Sequence, residues 1–159
     1  MIKAIVDKHT IAQFAKFRDN THLNHGSRRP LSEGFEEVGL FGEAEFARAY
    51  NLPLDLRAIT TGDKGVDFDT IAGTVDVKTA RKAFYLIVEE GKVIADIYVL
   101  ASFNNESKTA HLIGWEYGGE MKKCPVKDFG YGIRNHYKSA SKLRKMSELW
   151  LLLKGGSNG

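Results

Sequence analysis

The segment 66–79 constrains the fold most strongly, because it predicts a β-hairpin with one charged face. Its two halves alternate apolar and polar residues, and a short turn-forming stretch separates them. Side chains alternate between the two faces of a strand, so Asp76 and Lys78 share one face and Val77 points to the other. The hairpin also brings Asp67 to the charged face. We therefore expect two carboxylates and one ammonium group in a small volume.

This arrangement of charges suits metal-assisted cleavage of a phosphodiester. A divalent cation activates a bound water and neutralises phosphate oxygens, and Mg²⁺ prefers oxygen ligands, usually one or two carboxylates. We expect Asp67 and Asp76 to hold such a cation, with the Val77 carbonyl beside them. Lys78 is expected to orient the attacking water or to neutralise the scissile phosphate. Glu43, on a preceding helix, would be a further ligand, directly or through water.

Each of these residues also has a structural alternative. Asp76 and Lys78 could form a surface ion pair on an exposed strand, and Asp67 could cap the preceding turn. Asp69 shares the face of Asp67 and is its rival as a ligand. Asp96 is expected to be structural, capping backbone amides or pairing with a lysine.

The composition is that of an ordinary globular protein. The chain has 159 residues, which fit one compact domain at 1–154 followed by a disordered glycine-rich tail at 155–159. Cys124 is the only cysteine, which excludes an internal disulfide and favours a reduced compartment. No apolar stretch approaches the roughly 20 residues of a membrane helix, and no secretion signal is visible. We expect a cytoplasmic protein without a membrane partner.

The order of predicted elements is two helices, a series of strands and a final helix. This order predicts an α+β domain in which helices pack on a mixed sheet. Glu36 and Glu43 lie at the edge of the apolar face of the second helix. The predicted helices cover 8–19, 33–50, 120–123 and 139–153. The predicted strands cover 58–61, 66–69, 74–79, 83–89, 93–102 and 111–117.

Three motifs taken together resemble the PD-(D/E)XK nuclease superfamily, and the resemblance covers about residues 35–150. The motifs are Gly42-Glu43, Gly65-Val66-Asp67 and Asp76-Val77-Lys78. The resemblance implies a restriction-endonuclease-like core, sandwich-like, with a four-stranded mixed sheet flanked by helices. It also implies divalent-metal-dependent cleavage of DNA, as in small nuclease-like proteins of phage and prokaryotic genomes. By this analogy Asp67, Asp76 and Lys78 are the signature catalytic positions and Glu43 is the helix glutamate.

This sequence departs from the family pattern at two positions. Val66 stands where the family name has proline, and Asp76 stands where glutamate is more frequent. Both variations remain within the family's permitted pattern.

Basic residues are concentrated in a few segments, whereas the helix at 33–50 is acidic. Lysine and arginine supply contacts to phosphates, and the glycines at 130–132 would let backbone amides approach a polyanion. Nothing in this set specifies base readout, so we expect contact to the DNA backbone or shape with little sequence preference. The alternative is a solvated basic face. The candidate DNA-binding residues are Arg28, Arg29, Arg81, Lys82, Lys122, Lys123, Lys127, Arg134, Lys138 and Lys142.

These patterns lead to one main hypothesis and two alternatives. The main hypothesis is a DNA endonuclease dependent on Mg²⁺ or Mn²⁺. Its small size suits a Holliday-junction or branched-DNA resolvase acting as a homodimer, and a nicking or repair nuclease fits equally well. The second hypothesis is a non-catalytic DNA-binding module that retains the fold. The third hypothesis is a metal-dependent enzyme that acts on a substrate other than nucleic acid. It does not explain the basic segments.

Overall fold

The computed structural model of the protein describes residues 35–52 and 67–155. The helices in this part of the chain are α1 (Phe35–Tyr50), α2 (Gly118–Met121) and α3 (Met146–Gly155), with a short 3-10 helix at Ala140–Lys142. The strands are β1 (Phe68–Thr70), β2 (Gly73–Ala80), β3 (Tyr85–Glu89), β4 (Ile97–Asn104), β5 (Thr109–Tyr117), β6 (Val126–Asp128) and β7 (Arg134–Ser139). The protein is α+β, as predicted.

The predicted hairpin forms one end of a four-stranded mixed sheet with the order β1-β2-β4-β5. β1 and β2 are antiparallel, with Phe68 opposite Val75. The Thr70 hydroxyl closes the turn between them by donating to the Gly73 carbonyl at 2.7 Å. β2 and β4 are parallel, and β4 and β5 are antiparallel. The predictions of a hairpin and of a mixed sheet are confirmed.

Helices α1 and α3 pack on the apolar face of this first sheet. Phe46 of α1 and Leu149 of α3 are fully buried in one cluster with Val77 of β2. Gly42 lets α1 approach the sheet closely, because a Cβ atom at this position would collide with the side chain of Thr79. The helix is therefore seated directly over the second half of β2.

A second, three-stranded sheet with the order β3-β7-β6 lies against the opposite face. Leu86 and Val88 of β3 pack with Tyr98 and Leu100 of β4 in a second buried cluster, which also contains Met121 of α2. The parallel strands β2 and β4 need a crossover connection, and β3 lies within it. The second sheet thus combines β3, from the connection between the two central strands of the first sheet, with β6 and β7, which follow β5 and α2 in the chain.

The predicted helix at 139–153 is wrong over its first half. β7 continues to Ser139, which pairs with Tyr85 of β3. Beyond the 3-10 helix, Arg144 forms an isolated bridge with Trp115, and their amides each donate to the other's carbonyl at 2.9–3.1 Å. Helix α3 begins only at Met146. These pairings join residues far apart in sequence, so the helical spacing of local apolar residues could not reveal them.

Other bounds also differ from the predictions. The strand predicted at 93–102 begins at Ile97, because the amides of Ile94 and Ala95 donate to the Tyr98 hydroxyl instead of to a neighbouring strand. β6 and β7 replace a segment predicted as a basic loop. The elements predicted at 8–19 and 58–61 lie outside the described residues, as does the tail beyond Gly155. Within residues 35–52 and 67–155, no helix is both long and apolar enough to cross a membrane.

Candidate functional site

Asp67 directly precedes β1 and lies against the backbone of β2 beside Asp76. Phe68 pairs with Val75, and the Asp67 amide donates to the Val75 carbonyl at 2.9 Å. The Asp67 carboxylate accepts a hydrogen bond from the Val77 amide at 2.8 Å. The Asp67 carboxylate is therefore held at the backbone of the residue that follows Asp76.

Lys78 pairs directly with Asp76. Its Nζ lies 2.7 Å from Oδ2 of Asp76, and the side chains of Asp76 and Lys78 are 2% and 39% exposed, respectively. A carboxylate so removed from water requires compensation by a nearby cation or by hydrogen bonds. The ammonium group supplies such compensation at the point where the site reaches solvent. This geometry rules out an ion pair on an exposed strand, because the acidic partner is buried.

A row of polar side chains continues across the sheet from Asp76. Tyr98 of β4 is opposite Asp76, and Glu116 of β5 is opposite Tyr98. The Tyr98 ring is buried, and its hydroxyl accepts from the amides of Ile94 and Ala95 at 2.9 and 3.1 Å. Burial raises the pKa of Tyr98, against the opposing effect of these amides. Tyr98 is thus a neutral polar group between two buried carboxylates.

Glu116 is the residue that the sequence interpretation missed. Its side chain is 2% exposed and accepts from Lys138 Nζ at 2.5 Å, from Arg144 Nε at 2.6 Å and from the Tyr117 amide at 2.8 Å. Burial alone would raise the pKa of Glu116, but the hydrogen bonds from Lys138, Arg144 and the Tyr117 amide outweigh it, and the pKa is lowered. The carboxylate joins the first sheet, the second sheet and the segment before α3.

Stability is expected to fall in acid partly through Glu116. Its pKa is lowered in the folded state, so its contribution to stability is present above the ordinary glutamate pKa of about 4.3 and is lost as the pH falls through the folded-state value. Urea unfolding of wild type and of Glu116→Gln at a series of pH values measures this contribution. The difference between the two free energies of unfolding should shrink as the pH falls below about 4. An unchanged difference would contradict the assignment of a charged Glu116.

Glu43 lies on the helix α1, whereas Asp67 and Asp76 belong to the hairpin segment. It is buried on α1, and α1 packs on the apolar face of the sheet, opposite the face of Asp76. Among the described residues, no three histidine, cysteine, aspartate or glutamate side chains come together as a metal-binding group. The structure pairs Lys78 with Asp76 and holds Asp67 at the Val77 amide. The side chain of Glu36, the alternative to Glu43, lies outside what the structure describes.

The two other aspartates of this region have distinct positions. Asp69 is exposed and pairs with Thr74, two residues nearer the turn than Asp67. Asp96 accepts from the Thr74 amide at 2.9 Å, and its own amide donates to the Thr74 hydroxyl at 3.0 Å. The predicted capping role of Asp96 is confirmed.

The oxygen atoms around Asp67 and Asp76 suit a hard divalent cation. The amide and carbonyl of one strand residue point to the same edge, so the Val77 carbonyl lies on the edge where its amide meets Asp67. Two carboxylates and one carbonyl at one place are donors of the kind that Mg²⁺ and Mn²⁺ bind. The donor set thus fits the expected metal through Asp67, Asp76 and Val77.

The candidate DNA-binding residues divide into two groups in the structure. Several have acidic or polar partners: Arg81 with Asn105, Lys123 with Glu120, Arg134 with Glu90, and Lys138 with Glu116. Exposed lysines are Lys82, Lys122, Lys127 and Lys142. Lys138 differs from the other paired residues because its partner, Glu116, is buried. Arg28 and Arg29 lie outside the described residues.

Comparison with known proteins gives no assignment for this constellation. No family model, no curated protein and no solved structure matches the chain.

Proposed function

We propose that the protein is a divalent-metal-dependent DNA endonuclease of the PD-(D/E)XK type. The observation that carries this proposal is the buried Asp76 carboxylate, paired with Lys78 at 2.7 Å and followed by Val77, whose amide donates to Asp67 at 2.8 Å. Keeping two acids and a base together inside a sheet is unfavourable for stability unless they are compensated. Such groups concentrate at functional sites.

The strand order supports a restriction-endonuclease-like core. The hairpin β1–β2, the parallel strand β4 and the antiparallel strand β5 form a four-stranded mixed sheet, and α1 packs on one face. The other face is covered by the second sheet and the short helix α2, where the family resemblance leads one to expect a helix layer. In this proposal, the second sheet is an elaboration built from β3, between the two central strands, and from β6 and β7, after β5.

The residues of the site have separate roles in the proposed reaction. Asp67, Asp76 and the Val77 carbonyl would hold Mg²⁺ or Mn²⁺, which when bound activates water and neutralises charge on the phosphate. Lys78 carries its ammonium from the buried Asp76 to the solvent boundary, where it can orient the attacking water and offset the negative charge that develops during cleavage. Glu43 is retained in the proposal as an assisting carboxylate that acts from α1.

The position of the basic residues supports DNA as the substrate. Arg81 and Lys82 are exposed and follow β2 directly, so they lie within four residues of Lys78 along the chain. A phosphate close to the site would meet these cations first. Contacts of this kind bind the backbone and carry no sequence information. We therefore propose recognition of DNA structure or backbone with little sequence preference.

A cleavage assay with wild type and Lys78→Ala tests the proposed function. Supercoiled plasmid, single strands and a four-way junction are incubated with Mg²⁺, with Mn²⁺ or with EDTA. Wild type should cut at least one substrate with metal and none with EDTA, and Lys78→Ala should cut at least about a hundred-fold more slowly, because positioned charge in a buried site is worth several kcal/mol. Lys154→Ala, a lysine on α3, serves as the matched control.

The pattern of results separates the alternatives. Cleavage confined to the four-way junction would favour a resolvase, for which a homodimer is then expected. Retention of DNA without any cleavage would favour a non-catalytic binding module. Equal cutting by wild type and Lys78→Ala would show that the proposed site is wrong.

A further inference from the structure

The outer face of the second sheet carries three aromatic rings in mutual contact. Tyr85 of β3, Tyr137 of β7 and Phe129, just after β6, have ring centroids 5.7–6.1 Å apart. We call these three residues the aromatic cluster. Each comes from a different strand segment, so the position of the cluster is set by the pairing of the whole sheet.

The cluster does not belong to the hydrophobic core. Leu86 and Val88 of β3 point inward to the buried residues of the first sheet, so Tyr85, which alternates with them, points outward. Tyr85 is 42% exposed, Phe129 and Tyr137 are half-buried, and Phe84 and Tyr131, which are close to the cluster in sequence, are exposed. Aromatic side chains normally gain stability by burial. A group left at the surface in this way indicates a binding surface.

The charges around the cluster favour a polyanion. Lys127 lies with its Nζ 5.2 Å from the centre of the Phe129 ring. The nearby acids are engaged within the protein: Glu89 pairs with Lys92 at 2.8 Å, and the Asp128 carboxylate accepts from the amides of Gly130, Tyr131 and Gly132 at 2.8–3.2 Å. The exposed Lys82 precedes Tyr85 by three residues. Cations beside exposed rings are the pattern that binds single-stranded nucleic acid, with phosphates on the cations and bases on the rings.

We propose that the aromatic cluster stacks unpaired bases of a DNA strand, while Lys127 and Lys82 contact its phosphates. This inference rests on the proposed function and narrows its substrate to DNA that includes a single-stranded segment. The chain passes from Lys78 at the site to Tyr85 within seven residues. One DNA strand can therefore contact both the site and the aromatic cluster. Duplex DNA keeps its bases stacked on each other and cannot use the cluster.

The binding of three fluorescein-labelled DNAs, measured by anisotropy in EDTA, tests this proposal. The three DNAs are an oligothymidylate, an abasic strand of equal length and charge, and a duplex. Wild type should bind the oligothymidylate most tightly. Tyr85→Leu, which keeps an apolar side chain but removes the ring, should weaken that binding by about five-fold to one-hundred-fold and leave the abasic strand unaffected. Tyr85→Phe should restore binding, and Trp150→Leu, which removes an exposed ring on α3, should have no effect.

These outcomes are independent of cleavage. If the protein cuts DNA with metal but binds the oligothymidylate and the abasic strand equally, the proposed role of the aromatic cluster is wrong. The proposed nuclease activity would be unaffected by that result. If the protein never cuts DNA but Tyr85→Leu loses oligothymidylate binding, the proposed role of the aromatic cluster is supported and the proposed nuclease activity is wrong. Absence of binding to every DNA, or equal binding by wild type and Tyr85→Leu, would overturn the cluster.

Discussion

Asp76→Asn is expected to abolish DNA cleavage while lowering the free energy of unfolding by at most about 2 kcal/mol. Asparagine keeps the shape of the buried side chain but removes the negative charge that the proposed metal site needs. Loss of such a ligand removes several kcal/mol of transition-state stabilisation, which corresponds to at least about a thousand-fold slower cleavage. Plasmid cleavage at saturating Mg²⁺ measures the rate.

The free energy of unfolding of Asp76→Asn is expected to stay within about 2 kcal/mol of that of wild type because the remaining partner of the ion pair can be solvated. Removing one member of a buried ion pair is strongly destabilising when it leaves a charge without compensation in the interior. Here the remaining member is Lys78, whose side chain is 39% exposed and can be solvated. Urea unfolding checks this expectation, and it distinguishes lost chemistry from lost structure.

Asp69→Asn provides the matched control for Asp76→Asn. Asp69 lies on the same hairpin, but it is exposed and stands opposite Thr74. Its substitution should leave cleavage nearly unchanged. If Asp69→Asn were inactive and Asp76→Asn active, the assignment of the metal ligands would be wrong.

Glu116→Gln is expected to lower the free energy of unfolding by about 2–3 kcal/mol at neutral pH. Removal of one partner from a buried ion pair typically costs about 3–5 kcal/mol. The two cations are 24% and 42% exposed, so solvent reduces that figure. For a chain of this length the change corresponds to a fall in melting temperature of about 5–10 °C.

The control for Glu116→Gln is another glutamate that pairs with an arginine. Glu90 pairs with Arg134 at 3.1 Å, but both side chains are well exposed. Glu90→Gln should change the free energy of unfolding by less than about 1 kcal/mol. Equal effects of the two substitutions would mean that the burial of Glu116 does not matter.

The hairpin and its charged face were predictable because their signals are local. Alternation over a few residues around a short turn determines which side chains share a face, and the structure forms the hairpin and pairs Asp76 with Lys78. Helix α1 was predicted for the same reason, from apolar spacing within one segment. The capping role of Asp96 followed from its place as a single acid within a predicted apolar strand.

The second sheet was not predictable, although β3 was expected as a strand, because β3 pairs with β7 over about 50 residues of sequence. β7 pairs with β3 on one side and β6 on the other, and most residues of these strands are polar or charged. Glu116 was missed for a related reason. Only the pairing of β4 with β5, and the return of the chain past Lys138 and Arg144, shows that this glutamate is buried and paired. One glutamate in a strand carries no such signal by itself.

The hydrogen bond from the Val77 amide to Asp67 has a consequence for amide exchange with solvent deuterium. Strand amides normally donate to the carbonyl of a neighbouring strand, whereas this one donates to a side chain. Its exchange rate therefore depends on the position of one carboxylate as well as on opening of the sheet. Any ligand that draws the Asp67 carboxylate away would loosen this single amide, while the amides that join β2 to β4 stay protected. The exchange rate of the Val77 amide therefore reports the position of the Asp67 carboxylate.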